Sequence, residues 1–284
     1  MNLNKVWGVV LIMISASAFG VMPIFGKYVY ENGLNPISLL FFRFTIASLI
    51  LIFLQIVLRI PFPKGRILFL LILMGVIGYG GQSFTYFTAL TLIPAGLVAI
   101  LLYIFPAMVT VLSVIFLKER VTTQKISALL LALAGTVLVV GFETGGSTLG
   151  ILYALGAAAF YAGYIVVGAK VTLKYGSFAS STVIIASSAV AYGLVVSTQG
   201  LIWPVSSTGW LYLVLIAIFC TVISISTFFA GVKRIGAVNG SILSTLEPVV
   251  TVLLGMLIFS EGTSWTRFLG MTLILGGAIV LAKR

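Results

Sequence analysis

The chain matches itself at an offset of 142 residues, half of its 284. Pro106 falls on Pro248, Glu119 on Glu261 and Gly135 on Gly277. Gly8 falls on Gly150, Ala16 on Ala158, Thr85 on Thr227, Phe87 on Phe229 and Ala95 on Ala237. One gapless offset from the first helix to the last marks a tandem duplication, with halves 1–142 and 143–284. In a very apolar chain, two structural repeats are the build of a secondary transporter.

Hydrophobic residues make up 61% of the chain and charged residues 7%. A soluble domain of this size carries about a quarter charged residues, so this chain is read as a polytopic membrane protein. Cys220 is the one cysteine, which excludes an intrachain disulfide. Histidine and aspartate are absent. That removes most metal sites and the usual nucleophilic triads, so no metal, cofactor or enzymatic activity is expected. A net charge of +11 would suggest nucleic acid in a soluble protein. In a membrane chain it marks the cytoplasmic side, and nucleic acid is not an expected partner. Lys5, the following apolar run and Ala16-Ser17-Ala18 imitate a signal peptide. The run continues to Phe25, however, and is read as an uncleaved first span.

A hydrocarbon core of about 30 Å needs roughly 20 helical residues. Ten apolar runs of that order are expected, near 6–26, 37–58, 67–90, 94–117 and 124–142 in the first half. The second half has them near 149–169, 179–199, 209–231, 236–259 and 265–282. Asn35-Pro36, Pro94 and Ser207-Thr208 read as helix starts. With both termini cytoplasmic, thirteen of the 16 basic residues fall on the inner side, among them Lys5, Arg59, Arg66, Lys125, Lys233 and Arg284. Lys27 and Arg267 fall outside, and Arg43 lies within a span. This asymmetry sets the orientation. Five helices per half is an odd number, so the second half enters the membrane from the opposite side. The expected fold is all-α and integral to the membrane, with ten transmembrane helices as two inverted five-helix repeats. Such repeats permit alternating access.

Further motifs occur once per half. Pro94-Ala95, Phe105-Pro106, Lys118-Glu119-Arg120 and Gly135 in the first are answered by Gly236-Ala237, Glu247-Pro248, Ser260-Glu261-Gly262 and Gly276-Gly277 in the second. Together with Arg43-Phe44 in the second span, this pattern resembles the EamA-type family of the drug/metabolite transporter superfamily, over essentially the whole chain. The resemblance implies a carrier of small polar metabolites, similar to exporters of amino acids and their derivatives. It also implies a central cavity lined by spans one, three, four, six, eight and nine, with spans five and ten peripheral.

Several residues could carry the chemistry. Glu247 sits near the middle of the ninth span, where a carboxylate costs at least about 2 kcal/mol. It is read as a proton-coupling site or a partner for a substrate ammonium, or as a structural carboxyl beside Pro248. Arg43 lies roughly 9 Å below the outer face at 1.5 Å per residue. It is expected to snorkel outward, or else to meet a substrate carboxylate or pair with Glu247. Glu119 and Glu261 read as anchors at helix ends. Tyr79, Gln82, Ser83 and Tyr86 fall at i, i+3, i+4 and i+7, one helical face. A polar stripe in a membrane helix faces protein or water. Thr221, Ser224 and Phe228 form the related face of the eighth span. Asn239, Ser241, Ser244 and Thr245 add polar groups from the ninth. Tyr103, Tyr161, Tyr164, Ser15 and Phe19 complete a polar, aromatic-walled set, some of which could hold a cation by cation–π contact. Pro106 and Pro248 interrupt matching helices and read as hinges or static bends.

These features lead to a secondary transporter in the cell membrane that exports amino acids or amino-acid-like compounds by alternating access. Its expected partners are a small-molecule substrate, the lipid bilayer and protons as a coupling ion. No obligate protein partner is implied. A carrier of quaternary ammonium or cationic drug-like compounds, or an uncoupled facilitator, is the alternative.

Overall fold

In hydrocarbon a backbone has no water to bond, so each span closes its own hydrogen bonds as helix. The computed structural model describes residues 3–141, 147–259 and 264–282, and all regular structure among them is helical. Among the described residues, nine spans are long and apolar enough to cross a membrane, and Trp265–Leu281 is a shorter apolar helix. Glu261, Gly262, Lys283 and Arg284 lie outside the described residues.

In the first half, α1 consists of Leu3–Gly20 and Met22–Glu31, and α2 is Pro36–Val57. Next, α3 runs over Gly65–Leu92, and α4 consists of Ala95–Leu102 and Phe105–Leu112 with a π turn, Ser113–Leu117. Thr123–Val140 forms α5. In the second half, α6 is Thr148–Tyr175, α7 is Ser177–Gln199 and α8 is Ser207–Ile235. Last come α9, in two pieces, Ala237–Ser244 and Glu247–Phe259, and α10, Trp265–Ala282. The N-terminal signals are local. Asn35 Oδ1 accepts from Ser38 N–H at 2.8 Å, with Pro36 in the first turn. Ser206, one residue ahead of the expected start, accepts from Gly209 N–H at 3.3 Å. Each such side chain satisfies an orphan donor of the first turn.

The breaks follow the prolines. A proline inside a helix lacks an N–H and clashes with the preceding turn. Pro106 and Pro248 stand second in their helical segments, and the chain leaves the helix at Tyr103–Ile104 and at Thr245–Leu246. These two breaks are 142 residues apart. Pro23 breaks α1 at Val21, and its repeat mate is Ile165, so α6 runs unbroken for 28 residues. The repeats also carry π segments at closely related places, Met74–Tyr79 in α3 and Ile218–Ile223 in α8.

Lipid tails are as apolar as the helices, so association rests on close packing rather than on a hydrophobic drive. Glycines make it possible. A Cβ on Gly135 would lie 2.6 Å from the Gly270 carbonyl, and one on Gly277 would lie 2.9 Å from the Ala128 carbonyl. These two contacts of α5 with α10 are images of each other under the repeat. In the same way Gly8 lies against Arg234 and Ile235, while Gly150 lies against their mates Leu92 and Ile93. The main pairings therefore cross the halves: α1 on α8, α6 on α3, α2 on α7 and α5 on α10. The main core draws Ile12, Phe44 and Tyr79 from the first half and Tyr164, Ile184 and Phe229 from the second, with smaller clusters beside it, two of them at α5 and α10.

Candidate functional site

The three proline breaks meet at one place. Met22 and Pro23 from α1, Tyr103 and Phe105 from α4, and Glu247 and Pro248 from α9 all line a cavity of about 260 Å³. Pockets for drug-sized ligands measure roughly 300–1,000 Å³, so this smaller cavity suits a small metabolite. It lies in the half of the molecule away from the termini. The end of α5 (Val139, Val140) and the start of α10 (Arg267) reach it, and ten crossings put both opposite Leu3 and Ala282.

Arg43 projects from α2 into this cavity. Its side chain does not snorkel to the membrane surface; it is 2% exposed. The reason is the set of acceptors inside. Nε donates to Thr221 Oγ1 at 2.7 Å, and Nη2 donates to Tyr79 Oη at 2.6 Å and to the Cys220 carbonyl at 3.0 Å. Thr221 and Tyr79 are repeat mates, one on each π segment. Thus Arg43, which has no basic mate (Ile185 takes that place), ties the two related segments together. The Phe44 and Tyr79 rings lie 5.3 Å and 5.7 Å from its guanidinium carbon. All of these partners are neutral, and Arg43 makes no ion pair with Glu247. The direct pairing weighed from the sequence is absent.

Glu247 opens the second segment of α9 and faces the same cavity. The Tyr103 hydroxyl lies within hydrogen-bonding reach of its carboxylate. One turn on, Thr251 Oγ1 donates to the Gly20 carbonyl at 2.8 Å. That carbonyl is freed because Ile24 N–H bonds to Val21 instead. The bond ties the break in α1 to the break in α9. Aromatic rings form the rest of the wall: Phe105 packs on Tyr161 at 4.6 Å between centroids, and Tyr79 stacks on Tyr164 at 5.5 Å.

The polar stripe of α3 lies together here, since Tyr79, Gln82, Ser83 and Tyr86 all line the cavity, as do Tyr103, Tyr161 and Phe19. Nine expected residues do not, among them Thr221, which accepts from Arg43, and Ser15, Ser241 and Thr245, which donate to backbone carbonyls. Ser224 and Phe228 are buried in α8 packing, and Tyr164 lies behind Tyr79. Asn239 donates to the Ile235 carbonyl at the end of α8, and Ser244 to Gly240 within its own helix. Pro106 is buried one residue beyond the lining residue Phe105. Spans five and ten, expected to be peripheral, contribute Val139, Val140 and Arg267, whereas α8 contributes nothing to the lining. Met22, Phe87, Ala99, Leu102 and Val252 carry no chemical signal, and only the fold finds them. Thr251 and Phe105 could have been found, one as the residue a turn from Glu247 and the other as its repeat mate.

Glu119, expected as a helix-end anchor, pairs with Lys125 at 2.8 Å on the side of the termini.

Two interlocked five-helix repeats around a charged, aromatic-walled cavity define a membrane transporter. The EamA-like transporter family matches residues 6–141 and again 148–283. The chain belongs to that family. It is similar to the aromatic amino acid exporter YddG of Ancylobacter novellus, 29% identical over 243 residues, 80% of this chain and 79% of that protein. It is also similar to YcbK of Bacillus subtilis, an uncharacterized transporter, 23% identical over 278 residues, 93% of this chain and 88% of the other. A solved crystal structure shares the fold, with a TM-score of 0.83 at 23% identity, covering 96% of this chain and 95% of that one.

Proposed function

We propose that this transporter exports amino acids or closely similar zwitterions across the cell membrane by alternating access. In this reading the substrate carboxylate meets Arg43, and its ammonium group meets Glu247. The observation that carries the reading is that an acidic and a basic side chain line one cavity with no ion pair between them. A guanidinium keeps its positive charge in proteins, and charged groups within a membrane pair or mark a substrate path. Among the described residues Arg43 is bound by two hydroxyls and a carbonyl alone, which leaves its charge to be met by an anionic group. A quaternary ammonium has none and would meet the guanidinium with like charge, so the cationic-substrate reading is the weaker. The rings of Phe19, Tyr86, Tyr103 and Tyr161 suit a large or aromatic side chain, in keeping with the name of the Ancylobacter relative.

With the basic residues inside, both termini are cytoplasmic and the cavity faces outward. Glu247 is the coupling group if protons drive the cycle, because intramembrane carboxyls commonly form proton relays. The test is uptake by proteoliposomes, with and without a pH gradient, of a radiolabelled panel of neutral, basic and acidic amino acids, choline-like amines and sugar phosphates. Uptake of neutral amino acids supports the reading, and gradient dependence assigns protons as the coupling ion. Transport of choline-like amines alone refutes it.

A further inference from the structure

On the side of the termini a concave site lies between α4, α6, α8 and α9. It measures about 500 Å³, and Lys118, Lys170 and Lys233 line it together with Glu119. Glu119 pairs with Lys125 at 2.8 Å, so its charge is already met. The three lysines make no ion pair among the described residues. Their repeat mates are Ser260, Tyr28 and Thr91, so the duplicated frame carries these charges on one side only. The pocket continues into the membrane. It shares Phe116, Leu117 and Lys170 with a groove of about 380 Å³. That groove forks around α6. One branch, about 490 Å³, runs between α6 and α3 past Gly163 to Gly156. The other, about 410 Å³, runs between α6 and α4 past Leu112 to Ala107. Phe116, Phe160 and Val167 are exposed along it, and a Cβ on Gly163 would meet nothing within 4 Å. From Lys170 to Gly156 is about 21 Å at 1.5 Å per residue, and one leaflet of the hydrocarbon core is about 15 Å deep.

We propose that this is a binding site for an anionic phospholipid, with the headgroup phosphate among Lys118, Lys170 and Lys233 and the two acyl chains in the branches on either side of α6. Basic pockets between transmembrane helices attract anionic headgroups. The shape selects the lipid over other anions and the charge selects it over other lipids. A soluble phosphate would meet the lysines and leave both branches empty. A neutral lipid would fill the branches and leave three ammonium groups unmet. Lys118 belongs to the first half of the chain, and Lys170 and Lys233 to the second, so a bound headgroup joins the halves. The site shares no lining residue with the substrate cavity, and it stands whichever substrate is carried.

The test is native mass spectrometry of the purified full chain with phosphatidylglycerol, phosphatidylcholine or glycerol 3-phosphate, with thermal unfolding of each variant in detergent to report folding. Phosphatidylglycerol is expected to bind at least about tenfold tighter than phosphatidylcholine, since each basic residue near an anionic lipid contributes close to about a fivefold factor. Glycerol 3-phosphate is expected not to be retained. Lys118→Gln, Lys170→Gln and Lys233→Gln combined are expected to weaken phosphatidylglycerol binding at least about tenfold, and Lys233→Gln alone, which serves if the triple variant does not fold, about fivefold. Gly163→Leu fills the fork where there is room for a side chain and is expected to weaken the lipid while leaving unfolding unchanged. Arg59→Gln, Lys64→Gln and Arg66→Gln combined remove the same charge from the same side outside the pocket, and are expected to change binding by less than about twofold. Equal losses in the two triple variants would show general surface attraction and overturn the site. So would phosphatidylglycerol binding that Gly163→Leu leaves unchanged, or glycerol 3-phosphate bound as tightly as the lipid.

Discussion

Replacing Arg43 with glutamine removes a positive charge from the cavity while keeping a hydrogen-bonding side chain. The native guanidinium uses Nε and Nη2 on Thr221, Tyr79 and the Cys220 carbonyl. Nη1 makes no hydrogen bond among the described residues, and in the proposed reading it is the donor that meets the substrate carboxylate. A hydrogen bond to a charged group contributes about 1.5–3 kcal/mol. Its loss corresponds to roughly a 10- to 150-fold weaker half-saturating concentration for a substrate carboxylate. The same variant also loses protein contacts, so affinity for the acid alone does not isolate the role. The decisive comparison is an aromatic amino acid against its amide, which keeps the ammonium and ring but lacks the carboxylate. Binding of both is measured to purified native protein and Arg43→Gln, with thermal unfolding followed in parallel. The acid is expected to lose the full factor and the amide less than about threefold. Tyr79→Phe, which removes one neutral partner and keeps the charge, is expected to weaken both ligands alike, by about 0.5–1.5 kcal/mol at most. Equal losses of acid and amide in Arg43→Gln would show that Arg43 acts only by holding the two π segments, and the carboxylate assignment would fall.

Two further outcomes follow from the same geometry. Glu247→Gln keeps the shape and the reach to Tyr103 but can neither carry a charge nor release a proton; in proteoliposomes, stimulation of amino-acid uptake by a pH gradient is expected to vanish while counterflow persists. Unchanged gradient dependence would remove Glu247 from coupling. Gly135→Ala forces a Cβ to 2.6 Å from the Gly270 carbonyl, and such overpacking costs typically about 1–3 kcal/mol. Gly276→Ala meets nothing within 4 Å and is expected to change stability by under about 0.5 kcal/mol. Melting temperatures of the two variants in detergent check the contrast, and equal melting would contradict the packing described for α5 and α10.

Much of the fold was legible because a bilayer leaves few options. Apolar runs near 20 residues had to become helices, and the α7 residues near 179–199 did so as Ser177–Gln199. The structure lengthens α1 and α8 beyond the expected runs, since polar ends such as Glu31 and Lys233 still form helix outside the apolar core. The α3 stripe was legible too, because Tyr79, Gln82, Ser83 and Tyr86 share a face whatever lies opposite. Arg43 was not: its depth favoured snorkelling, and only the approach of Thr221, 178 residues away, supplied a better acceptor inside.

The sequence by itself determined the duplication, the ten helices, the matched proline breaks and the presence of an acid and a base within the spans. Those depend on local chemistry and on a regular offset. Only the tertiary structure decided which side holds the cavity, that Arg43 and Glu247 share it unpaired, and that Ser224 and Phe228 are packed away while Gln82 and Tyr86 are not. The reason is the duplication. Two near-equivalent halves admit a cavity on either side with almost the same contacts, so residue pattern alone treats mates as equals. It is the arrangement the halves do not share, the break in α1 meeting the breaks in α4 and α9 at the cavity while α6 runs unbroken, that breaks the tie.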